Sequence, residues 1–173
     1  MRGNQGPQRI LRPANPFFIV FTLLGALAFN LLPWPDLRLV PDLLALTLTF
    51  WCIHQPRRVG VGVAWVLGLA MDAANGALIG QHALAYALLA FGAHVIHRRV
   101  LWFPVWPQAV HVFALLLLSQ LVMLAVGLIA GGTFPGWLVL VGIGLSAVLW
   151  PFITDLLLAP QRAPDDIDET RPI

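Results

Sequence analysis

Six long apolar stretches separated by short polar breaks account for most of this chain, at 16–32, 37–53, 59–74, 78–96, 105–130 and 136–158. A helix rises about 1.5 Å per residue, so most of these runs can cross a hydrocarbon core of about 30 Å with help from their flanks. The second and third are short and marked by polar residues, which predicts tilted or partly broken spans. Backbone polar groups cannot stay unpaired in lipid, so runs of this length predict helices and not a barrel. With so little chain between them, consecutive helices are expected to pair as tight antiparallel hairpins.

Composition supports a lipid-facing surface. Of the 173 residues, 59% are hydrophobic and only 10% charged, with a mean hydropathy of +0.82. Soluble domains carry about 25% charged residues. The fold class predicted is therefore all-α and integral to the membrane, a compact bundle of about six transmembrane helices. A net charge of +2 and a pI near 9.5 do not indicate nucleic acid, because the arginines sit in clusters between apolar runs.

Lysine is absent, and nine of the ten arginines fall in one set of alternating breaks. Arg2, Arg9 and Arg12 precede the first run, Arg57 and Arg58 follow the second, Arg98 and Arg99 the fourth, and Arg162 and Arg171 the sixth. Only Arg38 belongs to the other set. Basic residues stay on the cytoplasmic side, which predicts an inner-membrane protein with both termini in the cytoplasm. The expected organisation is a cytoplasmic tail at 1–15, a six-span domain at 16–159, and a disordered cytoplasmic tail at 160–173. Trp34 and Trp137 are expected at outer boundaries, and Trp51, Trp102 and Trp106 at inner ones. Trp65 and Trp150 are expected to pack within the bundle. The run around Ala26-Leu27-Ala28 also looks like a secretory cleavage signal, but Phe29-Asn30-Leu31-Leu32 carries the apolar stretch past it.

Polar residues inside apolar runs are costly and call for partners. Asp42, Asp72, Asn75, Gln81 and His82 all fall toward the outer side of the predicted topology, as does Arg38, one helical turn before Asp42. Matched depth and the cost of an unpaired charge predict an outer polar cluster of Arg38, Asp42 and Asp72, with Asn75 or Gln81 as further partners. The alternative is that each carboxylate reaches interfacial water. Small residues mark expected helix contacts: Gly68 and Gly76 on the third run with Gly80 beyond it, Ala83, Ala87 and Ala90 on the fourth, and Gly142 and Ser146 on the sixth. Pro151 lacks an amide donor and should kink the sixth helix. One turn later, Asp155 is within expected reach of Arg98, Arg99 or Arg162 at the inner face, the face that also carries Arg57 and Arg58.

Chemistry-bearing motifs are missing from the sequence. It contains no phosphate loop, HExxH, CxxC or GxSxG. The lone Cys52 excludes an intrachain disulfide. The five histidines are scattered, and the adjacent turn of His94 and His97 fits an interfacial face better than a metal site. No cofactor, metal or catalytic group is predicted, and the chain reads as non-enzymatic.

A longer pattern is present as well. A Pro41-Asp42-Leu43 entry leads to Trp51 and Gln55-Pro56-Arg57-Arg58-Val59-Gly60, then to Gly68 and Asp72. The run Gly76-Ala77-Leu78-Ile79-Gly80-Gln81-His82-Ala83-Leu84-Ala85-Tyr86 follows. Leu101-Trp102-Phe103-Pro104, Phe134-Pro135-Gly136-Trp137, Trp150-Pro151 and Leu157-Leu158-Ala159-Pro160-Gln161-Arg162 complete it. Over 16–162 the chain resembles the MreD family of rod shape-determining proteins in its proteobacterial form. The resemblance implies a small component of the elongation machinery (the elongasome) that binds MreC. It also implies work alongside the MreB filament, the RodA glycosyltransferase and its penicillin-binding transpeptidase in peptidoglycan synthesis. The family is similar in fold to the membrane substrate-binding subunits of energy-coupling-factor transporters, which implies an outward cavity but transfers no ligand. A chain with no soluble domain must act through helix faces and short loops, and an intramembrane scaffold fits that limit. A vitamin-like transporter subunit is the alternative, and membrane lipids are partners in either case.

Overall fold

A computed structural model of the chain describes residues 14–33, 40–76 and 78–162. Within these are six α-helices: α1 (Pro16–Asn30), α2 (Leu43–His54), α3 (Val61–Asn75), α4 (Gln81–Val100), α5 (Val105–Ile129) and α6 (Leu138–Leu158). A 3-10 turn at Ala159–Gln161 extends α6 and buries Gln161, so order continues into what was expected to be a tail. No strand occurs among the described residues. Arg38 and Trp34 lie outside them.

Local chemistry sets the helix ends. Asn15 caps α1 by accepting from the Phe17 amide at 3.0 Å, with Pro16 in the first turn where no amide is needed. Asp42 caps α2 through the Ala45 amide at 2.8 Å. At the close of α3, Gly76 adopts φ +61°, and Gly80 opens α4 at φ +102°. Both lie in the left-handed region that side chains with a Cβ resist. The space around them is empty, so they serve the turn between α3 and α4 and not a helix contact as expected.

The shortest helix is the centre of the molecule. In α2 every residue from Leu44 to Ile53 is buried, and it packs against α1, α4, α5 and α6. At 12 residues it spans about 18 Å, which suits a helix wrapped in protein and not one wrapped in lipid. Trp51, expected at a membrane boundary, is fully buried here, with its indole Nε1 donating to Thr22 Oγ1 at 2.9 Å. Trp150 is buried too, as expected, whereas Trp65 is half exposed and does not pack inside. The hairpin rule fails at one joint. The turn at 55–60 connects α2 to α3, yet α4 is the main neighbour of both.

Small residues allow the closest helix contact. A Cβ on Gly68 would lie 2.4 Å from Ala83 Cα, so α3 and α4 meet backbone to backbone at this point. Ala83 and Ala90 are fully buried on α4, and Ala87 is half-buried. Two elements, Val105–Ile129 and Leu138–Gln161, are long and apolar enough to cross a membrane. The apolar helices α1, α2 and α3 are shorter. The sixth helix runs unbroken through buried Pro151, whose ring nitrogen leaves the Ala147 carbonyl without its usual helical donor.

Candidate functional site

At the end of the bundle where α1, α3 and α5 finish and α2, α4 and α6 begin, two carboxylates organise the polar residues. Asp72, in the last turn of α3, is 1% exposed and accepts four hydrogen bonds. Its Oδ1 takes the His82 amide and His82 Nδ1, both at 2.8 Å. Its Oδ2 takes the Gly80 amide at 2.8 Å and the Ala83 amide at 3.4 Å. The first amides of α4 have no partner within their own helix. Asp72 satisfies them from the neighbouring helix, adding a negative charge at the positive end of the α4 dipole. Among the described residues Asp72 pairs with no arginine, and its partners are backbone amides and His82; Arg38, expected beside it, lies outside them.

Asp42 does a different job at the start of α2. Besides capping that helix, its Oδ1 accepts from Asn30 Nδ2 at 2.7 Å and its Oδ2 accepts from the Tyr86 hydroxyl at 2.8 Å. This one carboxylate thus joins α1, α2 and α4. The two networks meet where the His82 ring stands edge-on to Tyr86, with centroids 6.0 Å apart. Asp42 and Asp72 make no direct contact. Gln81 turns away from both to donate to the Met123 carbonyl of α5 at 2.9 Å. Asn75 is exposed at the rim.

Between these groups lies a cavity of about 360 Å³. Asp42, Asn30, Tyr86, His82, Ser119 and Ser146 supply its polar wall, and Met71, Leu116, Met123, Val139 and Ile143 its apolar wall. Gly142 also lines it, and Ser146 Oγ donates back to the Gly142 carbonyl at 2.9 Å. Asn30, Tyr86 and Ser119 were not among the expected site residues. Asn30 and the pair Ser119-Gln120 were nonetheless visible as polar interruptions of long apolar runs.

The charges at the opposite end are spread over the surface. Arg57, Arg58, Arg98 and Arg99 are exposed near the ends of α2 and α4. A guanidinium nitrogen of Arg58 donates to the Ala14 carbonyl. Asp155 pairs with Arg162 at 2.6 Å, and not with Arg98 or Arg99. Nearby, His94 faces the Ala90 and Pro56 carbonyls at 2.8 and 2.9 Å, tying α4 to the turn after α2. No group of three or more metal-ligating side chains occurs among the described residues.

A sequence model of the family described as rod shape-determining protein MreD matches residues 12–159. The chain belongs to the MreD family. A curated MreD relative, the rod shape-determining protein MreD of Haemophilus influenzae, is 28% identical over 152 residues, covering 84% of this chain and 88% of its own length. No solved structure matches the chain. Membership of MreD, a membrane protein family, gives the chain a role in determining rod cell shape and accords with the two helices long enough to cross a bilayer.

Proposed function

We propose that the chain is a non-catalytic inner-membrane component of the rod complex that binds MreC and supports peptidoglycan synthesis during elongation. The observation that carries this is the family match across 12–159, most of the chain. In this reading all six helices cross the membrane and both termini lie in the cytoplasm. The exposed arginines gathered at the ends of α2, α4 and α6 support that orientation. So does the position of α2, which can be short because protein, not lipid, surrounds it. MreB, RodA and the penicillin-binding transpeptidase are reached within the same complex. The fold type proposed is that of the membrane substrate-binding subunits of energy-coupling-factor transporters. The outer polar end is the proposed place where MreC docks.

Capture of MreC by the tagged chain from detergent-solubilised membranes tests the docking. Charge changes at Asp42 should weaken capture, whereas full capture by every variant of the outer polar end would remove it from the interface. One observation favours a second reading, a vitamin-like transporter subunit: the cavity described above. Depletion separates the two, because rounded cells indicate shape determination, and a vitamin requirement with normal shape indicates transport.

A further inference from the structure

The cavity at the outer polar end contains an imbalance of hydrogen-bonding groups. Asn30 is 8% exposed and Ser119 is 2% exposed, both line the cavity, and Asn30 Oδ1 and Ser119 Oγ are buried with no partner among the described residues. Buried polar atoms are nearly always paired, so two orphans on one cavity wall point to a missing partner. Most of the spare capacity is for accepting. Asn30 Oδ1 can only accept. Among the described residues Asp42 Oδ2 holds a single donor, the Tyr86 hydroxyl. The Ser146 hydroxyl has used its proton on Gly142 and keeps its lone pairs. The Asp42 carboxylate has three neutral donors and no ion-pair partner among the described residues. No arginine or lysine lines the cavity among those residues.

An occupant matching this wall brings several N–H donors and a positive charge. The opposite wall of Met71, Leu116, Met123, Val139 and Ile143 accepts methylene groups beside it. We propose that the cavity binds a primary ammonium group, carried either by an ethanolamine lipid headgroup or by a free amine. The three N–H bonds of such a group match in number the acceptors Asp42 Oδ2, Asn30 Oδ1 and the Ser119 hydroxyl, whereas a phosphate or carboxylate brings acceptors alone. This inference does not depend on MreC docking. The two are tested separately, because binding is measured on the purified chain alone.

The experiment uses the full chain in phosphatidylglycerol nanodiscs, titrated with phosphatidylethanolamine, phosphatidylcholine or free ethanolamine, with retention read by native mass spectrometry. Phosphatidylcholine keeps the charge but lacks N–H donors, so it tests the hydrogen bonds specifically. The expected result is preferential retention of phosphatidylethanolamine, reduced about tenfold by Ser119→Ala, the loss of one hydrogen bond to a charged group. Ser119→Ala removes an unpaired hydroxyl, so the variant should fold at least as well as the parent. Thr154 Oγ1 is also buried without a partner but does not line the cavity, so Thr154→Val should retain the lipid unchanged. Free ethanolamine bound as tightly as the lipid would support the ammonium site and assign it to a soluble amine. Equal retention of the two titrated lipids without ethanolamine binding, or equal loss in Ser119→Ala and Thr154→Val, would overturn the proposal and leave the cavity to water.

Discussion

Replacing Gly68 by alanine adds one methyl group where α3 and α4 touch. The new Cβ would sit 2.4 Å from Ala83 Cα, 2.6 Å from Ala83 N and 2.7 Å from the His82 carbonyl carbon. All three are backbone atoms, so no side chain can rotate away. Ordinary contact begins near 3.4 Å, and the helices must part by roughly 1 Å to reach it. Overpacking of this kind costs about 1–3 kcal/mol. Asp72 lies one turn further along α3, and its three bonds of 2.8 Å to the start of α4 would stretch with the separation. Each bond to a charged group contributes about 1.5–3 kcal/mol, so losing one brings the total to about 2.5–6 kcal/mol. Gly62 supplies an internal control. It lies on the same helix with nothing within 4 Å of its Cβ direction. Alanine at that position should be neutral or stabilising by up to about 1 kcal/mol. Thermal unfolding of the two purified variants in one detergent measures the difference. Equal stability of Gly68→Ala and Gly62→Ala would refute the close approach of α3 and α4.

Asp72→Asn replaces one oxygen with an NH₂ group facing backbone donors, and should destabilise by about 3 kcal/mol in the same unfolding assay. Gly80→Ala forces a Cβ into φ +102° and should cost about 1–3 kcal/mol, although the space around it is open. Arg162→Ala removes a pair whose partners are 38% and 68% exposed, so the change in unfolding free energy should stay below about 1 kcal/mol. Cys52 is the sole cysteine and is fully buried, so a maleimide should label the chain only after denaturation; rapid labelling of the folded protein would show that α2 is not central.

The helical class was legible because apolar runs of this length admit few alternatives, and each of the six helices lies along one of them. The central position of α2 was not legible. Its apolar residues look the same whether lipid or protein surrounds them, so the sequence could not distinguish a boundary Trp51 from a core one. Asp42 and Asp72 stood out in sequence as polar residues beside apolar runs, but their partners did not. Both carboxylates are held largely by backbone amides and neutral side chains, and backbone donors leave no mark on residue identity. Arg38 drew attention as the one arginine of its set, and it lies outside the described residues. Gly76 and Gly80 were read as packing positions because a glycine chosen for positive φ and one chosen for close approach are the same letter. Ser119 and Ser146 fall on the cavity only because α5 and α6 bring them together, and no spacing rule links positions so far apart.

Depleting the protein from its own rod-shaped host, while following cell outline by microscopy and growth without added vitamins, tests the shape role most directly. Cells that round up, keep their growth on minimal medium and recover their rods when the chain is restored are the expected outcome. Cells that stay rod-shaped after depletion, and regain growth only with a supplied nutrient, would contradict it.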